Sequence, residues 1–219
     1  MKKHLNILKS VELFKGIDES NILPLLSCLS GRLFAYGRNQ PVLSDSESIH
    51  SFGIVLSGQL QIVQEDYYGN RAIISKVGVG QLFGESFACS KIKPLTVNVV
   101  ATIESQILFI DSRKLAAPCE KACSFHRCLI QNMLNIIAKK NISLTQKIEF
   151  ISKRTTRERL LSYLLHESKK AGANCFSIPF DRQELADYLF VDRSAMSAVL
   201  SKLRDEGVLN FNKNRFELL

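Results

Sequence analysis

The chain has 219 residues, 46% of them hydrophobic, which is ample for one large or two modest packed domains. Its net charge of +8 is unevenly placed: residues 1–112 hold 10 basic and 10 acidic side chains, residues 113–219 hold 19 and 11. A basic C-terminal half is the electrostatic footprint of a polyanion binder, and the lack of any run of about 18 apolar residues excludes a membrane span. The start, MKKHLNILKSVELFKG, is basic, but Lys9 and Glu12 interrupt any signal-peptide core, so a cytoplasmic protein is expected. Six cysteines in that compartment read as thiols rather than disulfides.

Residues 10–30 read as short helices. From Phe34 to Phe109 apolar and polar residues alternate in short runs punctuated by glycines such as Gly53, Gly58, Gly69, Gly78 and Gly80. This pattern predicts an antiparallel β-roll, or jelly roll. Within it, QLFGESFA places Gly84 and Glu85 at a tight turn, followed by Ser86 at the start of a short helix that could hold an anionic or polar ligand. By itself a Gly-Glu turn is a weak motif.

Cys119, Cys123 and Cys128, with His126 among them, form the tightest group of metal-capable residues. Their spacing misses the usual CxxC patterns, and buried structural thiols are the simpler reading. Cys89 is a separate thiol-switch candidate. From Phe125 to Ile151 the chain predicts one long helix. Ile130, Leu134, Ile137, Asn141, Leu144, Ile148 and Ile151 follow alternating four- and three-residue steps, a heptad seam interrupted by one asparagine. Such a seam predicts a parallel homodimer, the Asn fixing register. Met133 and Ile136 lie off the seam and are expected against the N-terminal domain.

Thr155 and Glu158 form a capping box for a helix carrying Leu160, Leu161, Leu164 and Leu165 on one side. A second box, Asp181 with Glu184, opens a short helix with Leu185, Ala186 and Leu189 inward. Phe190 and Val191 are expected to be buried at the corner. Asp192 then caps a second helix with Met196, Val199, Leu200 and Leu203 facing in, and Arg193, Ser194 and Ser197 facing out at its N-terminal end. That is where a recognition helix presents its base-reading side chains to the major groove. After Gly207 the alternation around Asn212-Lys213-Asn214 predicts a two-stranded wing, with Lys213 and Arg215 placed to meet phosphates.

This order of elements resembles the Crp/Fnr superfamily of bacterial transcription regulators over essentially the full chain. The resemblance is carried by Gly58 in VLSGQLQIV, by Gly84-Glu85, and by Gln183-Glu184-Leu185-Ala186 with Val191-Asp192-Arg193-Ser194. It implies an α+β fold: residues 1–114 as an effector-sensing, cyclic-nucleotide-binding-like β-roll, 115–152 as the dimerisation helix, and 153–219 as a winged helix-turn-helix. It also implies binding to a palindromic double-stranded operator, with RNA polymerase as a protein partner. Arg193 matches the family's groove-facing arginine, the candidate for a bidentate guanine contact, and Ser194 occupies the next reading position. Ala198 stands where a second arginine often lies. Gln183, Arg182 and Lys202 are expected contacts to the DNA backbone.

The pocket departs from the cyclic-AMP binders of the family. Leu95 and Thr96 stand where an Arg-Ser pair would hold the cyclic phosphate, while Glu85 matches the ribose-binding glutamate. The expected effector is therefore an unidentified small molecule other than cyclic AMP. Lys91 or Lys93 could reach an anion, so acidic and apolar effectors both remain open. The alternative is a redox or metal sensor of the same architecture. A cupin-like enzyme is disfavoured, because His4, His50, His126 and His166 are scattered and no GxSxG motif occurs.

Overall fold

The structure, a computed structural model, describes residues 2–45, 48–90, 94–116 and 124–219. Two compact units emerge, residues 1–70 with 74–140 and residues 71–73 with 141–219.

The first unit opens with helices α1 (Leu5–Ser10) and α2 (Glu19–Cys28). Eight strands follow: β1 (Arg32–Tyr36), β2 (Pro41–Leu43), β3 (Ser51–Ser57), β4 (Leu60–Glu65), β5 (Arg71–Val77), β6 (Leu82–Phe83), β7 (Asn98–Ala101) and β8 (Ser105–Asp111). They form two four-stranded sheets, ordered β1-β8-β3-β6 and β2-β7-β4-β5. Successive strand residues point to opposite faces, and β3 uses both. Phe52, Ile54 and Leu56 enter a core with Leu8, Phe14, Leu26 and Ile110, whereas Val55 enters a second core with Val42, Leu60, Val99 and Ile107. The sheet holding β3 is thus a middle layer, with helices on one face and the other sheet on the opposite face. The β-roll expected from the alternation is present.

Gly58, at the β3–β4 turn, is required twice over. Its φ is +87°, and a Cβ there would lie 2.1 Å from Ser105 Oγ and 2.5 Å from the Glu104 carbonyl. Only glycine adopts that conformation with that space at low strain.

Helices α3 (Glu85–Cys89) and α4 (Ser112–Ala116) are short, and α5 (Ser124–Ile151) runs 28 residues as one helix. The off-seam Met133 and Ile136 behave as expected, buried together with Leu129 in the core that holds α1 and α2. The boundary between the two units falls within α5.

In the second unit, α6 (Thr156–Ala171) starts at the Thr155–Glu158 capping box, which is formed, and ends at Gly172 in the left-handed region. Its buried stripe is Leu160, Tyr163 and Leu164, while Leu165 is 49% exposed and Leu161 only half-buried. The inward side is thus rotated from the expected Leu160, Leu161, Leu164 and Leu165, with Tyr163 taking a buried place and Leu165 turned to solvent. This ring packs near Phe150, Phe180 and Tyr188, with centroids 5.6–6.3 Å away. Helices α7 (Arg182–Leu189) and α8 (Arg193–Asp205) precede strands β10 (Leu209–Asn212) and β11 (Arg215–Leu218). The hairpin is not two-stranded as expected: β9 (Cys175–Ser177) pairs with β11, giving the order β10-β11-β9. No helix among the described residues is long and apolar enough to cross a membrane.

Candidate nucleic-acid interface and effector pocket

Helix α7 begins where the Asp181 carboxylate accepts the Glu184 N–H at 2.8 Å and Glu184 returns a bond to the Asp181 N–H at 2.8 Å. A cap of this kind contributes roughly 1 kcal/mol. The corner after α7 differs from expectation. Phe190 adopts the left-handed conformation (φ 56°, ψ 52°) as the C-cap, and is 43% exposed rather than buried. Val191 is half-buried. Phe190's backbone position stops the helix, so its side chain follows the turn geometry instead of hydrophobicity.

Asp192 caps α8 by accepting the Ala195 N–H at 2.7 Å. Met196, Leu200 and Leu203 are fully buried and Val199 partly so, which anchors one side of the helix. Fully burying each such side chain contributes about 1.5–3 kcal/mol. Arg193, Ser194, Ser197, Ala198 and Lys202 are left exposed on the same helix. The Ser197 hydroxyl donates to the Arg193 carbonyl at 2.9 Å, so Arg193 and Ser197 share one helical turn. Gln183 is exposed and donates to Asp187 at 2.7 Å along α7.

On the wing, Lys213 and Arg215 are exposed, Lys213 in the left-handed turn position with φ 51°. Arg215 Nε lies 3.2 Å from Cys175 Sγ. Arg182 is placed differently from its expected role. Its guanidinium lies over the wing rings, 4.8 Å from Phe211 and 5.0 Å from Phe216, and burial pulls its pKa below the ordinary value. Sequence reasoning missed Arg159 altogether. From α6 it donates to the Phe190 carbonyl at 2.8 Å and the Lys153 carbonyl at 2.9 Å, satisfying a backbone group left open by the end of α7.

In the first unit, Gly84 caps α3 with φ +76°, and Glu85 is buried at 3% exposure. Lys140 of α5 donates to Glu85 Oε1 at 2.8 Å and to the Leu82 carbonyl at 2.6 Å. The other oxygen, Glu85 Oε2, is buried without a hydrogen-bond partner among the described residues. Lys140 was also missed. Its position continues the inward stripe Leu129, Met133 and Ile136 by one more turn, and a charged residue on such a stripe is the clue the sequence offered. Leu95 is 3% exposed within the core between the two sheets, beside Val42, Phe83 and Val99. Ser86 and Thr96 are exposed.

Lys91, Lys93, Cys119 and Cys123 lie outside the described residues. Cys128 donates its thiol to the Lys15 carbonyl at 3.2 Å, and among the described residues there is no group of three metal-capable side chains. The Cys89 thiol is pushed up by burial and then by the Glu85 charge, opposite to the depressed pKa of a reactive thiol.

Residues 33–122 match the family described as the cyclic nucleotide-binding domain, and residues 158–219 match the Crp-like helix-turn-helix domain. Over 211 residues the chain is 21% identical to the cyclic AMP receptor protein of Thermus thermophilus, spanning 96% of this chain and 94% of that protein. Its fold is similar to that of the c-di-GMP-responsive global regulator CLP of Xanthomonas campestris, with a TM-score of 0.73 at 19% identity, over 92% of this chain and 99% of that one. A CooA mutant from Carboxydothermus hydrogenoformans gives a TM-score of 0.70 at 16% identity, over 89% and 85% of the two chains. With a cyclic-nucleotide-binding-type roll, a long α5 and a Crp-like reading domain following one another along it, the chain belongs to the Crp/Fnr superfamily of transcription regulators.

Proposed function

We propose that the protein acts as a homodimer that reads a palindromic operator through α8 and answers to a small-molecule effector other than cyclic AMP in its roll. The carrying observation is the solvent-facing N-terminal turn of α8, with Arg193, Ser194 and Ser197 exposed above an anchored Met196–Leu200–Leu203 side. A bidentate arginine on guanine contributes about 1–3 kcal/mol of base discrimination. Lys202, Lys213, Arg215 and Gln183 add affinity by meeting the backbone. Superfamily membership supports a cytoplasmic site of action, with RNA polymerase as the protein partner.

Two observations support an effector unlike cyclic AMP. The position assigned to the phosphate-holding arginine carries Leu95, sealed in the roll core, and burying a phosphate charge there without a partner costs several kcal/mol. The carboxylate assigned to the ribose already holds the Lys140 ammonium. In this reading the pocket around Gly84 and Glu85 accepts its ligand beside a built-in ion pair.

The test is in vitro operator selection followed by Arg193→Ala. The variant is expected to lose roughly tenfold to a hundredfold of its preference for the selected site while keeping weak, salt-sensitive binding to any duplex. An equal loss on specific and random DNA would place base reading elsewhere.

A further inference from the structure

We infer that Arg182 is a positioning residue, a clamp that sets the wing through Phe211 and Phe216, rather than a contact to DNA phosphate. This rests on the DNA-binding reading for its functional consequence, but the clamp itself is a property of the free protein.

Arg182 is the first residue of α7, where the positive end of the helix dipole disfavours a cation. Something else must therefore hold its charge. The guanidinium carbon lies 4.8 Å from the Phe211 ring centroid and 5.0 Å from that of Phe216, both within the roughly 6 Å range of cation–π attraction. Its two terminal nitrogens are buried and have no hydrogen-bond partner among the described residues. A side chain meant for phosphate would hold those nitrogens toward solvent.

The rings it grips are structurally decisive. Phe211 and Phe216 are directly paired in the β10–β11 register, and Phe216 pairs with Phe176 of β9 on its other side. Phe216 is fully buried, and its ring stacks with Phe176 at 6.3 Å. Lys213 and Arg215 sit in and beside the turn joining this ring pair. Arg204 of α8 approaches Phe211 as well, at 5.3 Å. Both helices of the reading motif therefore meet the wing at Phe211. Arg182 ties α7 to it, so the placement of Lys213 and Arg215 follows from that stack.

The first measurement is amide hydrogen exchange in the free, full-length protein. Arg182→Met should speed exchange across residues 209–218 by roughly two- to fivefold, and Arg182→Lys, which keeps charge but not the planar stack, by less. Phe211→Leu should also speed exchange, and the double variant Arg182→Met/Phe211→Leu should fall short of the sum of the two single effects. Unchanged exchange in Arg182→Met, or full additivity in the double variant, overturns the clamp.

The second measurement is a salt titration on the selected operator. Arg182→Met should weaken binding at every salt concentration with the slope of log affinity against log salt unchanged. Lys213→Ala should make that slope shallower by about 0.9, the value for one lost phosphate contact. If Arg182→Met shows the same shallower slope, Arg182 neutralises a phosphate and the inference fails. Should the wild type bind no duplex, the DNA reading falls while the exchange data still decide the clamp.

Discussion

Lys147 shows how burial and attraction compete at one residue. It is 5% exposed in α5, with its ammonium 4.1 Å from the Tyr188 ring and 5.0 Å from the Phe190 ring. The rings favour the cation, but desolvation outweighs them and lowers its pKa from 10.5 to about 7. An unfolded chain keeps the proton to about 10.5, so between these values the folded state binds fewer protons and stability rises with pH. Below about 7 the destabilisation is fully present. Denaturant titrations should therefore show stability climbing between roughly pH 7 and pH 9.5. Lys147→Met should raise stability at neutral pH and flatten that climb. Parallel curves for the two proteins would remove Lys147 as its source.

At the scale of elements, α5 presents two different apolar sides, one buried and one exposed. Leu129, Met133, Ile136 and Lys140 face inward within the first unit, and Lys140 ends that stripe on Glu85. The heptad seam is left outside: Ile130 is 42% exposed, Leu134 56%, Leu144 46% and Ile148 61%. Asn141 is exposed in line with them and Ile137 is half-buried. Because these side chains contribute little to the fold of one chain, charging them tests association without unfolding. Leu134→Asp or Ile148→Asp should weaken dimerisation by at least roughly tenfold in sedimentation equilibrium, since each buried leucine or isoleucine contributes about 1.5–3 kcal/mol. Helical content should stay constant. A variant that remains fully dimeric would exclude this stripe as the interface.

For the whole molecule, the sensing roll and the reading domain have separate chemistries. The basic excess lies in residues 113–219, and the roll half is neutral. Long-range attraction to DNA thus belongs to the C-terminal part. Leu95 lies in the core and offers no charge to a cyclic phosphate, and Glu85 is paired to Lys140. Calorimetry with cyclic AMP should show no micromolar binding, and operator affinity should stay within about twofold on its addition. A tenfold gain would mean that another part of the roll holds the phosphate.

The local grammar of this chain was legible before folding. The Thr155–Glu158 and Asp181–Glu184 boxes, the Asp192 cap, the inward Met196–Leu200–Leu203 side and the alternation of β3 all follow from backbone geometry acting over a few residues. Placing Arg193, Ser194 and Ser197 on the solvent side required no more than a period of 3.6. What stayed hidden involves partners far apart in sequence: Lys140 on Glu85, Arg159 on the Phe190 carbonyl, Arg182 over Phe211, and β9 beside β11. Phe190 broke the rule that a large apolar side chain goes inside, since the turn needed its backbone first. Periodicity and caps are enforced within a turn or a strand and can be read along the chain. Which cation meets which carboxylate or ring is decided only when separate elements pack and water is expelled between them.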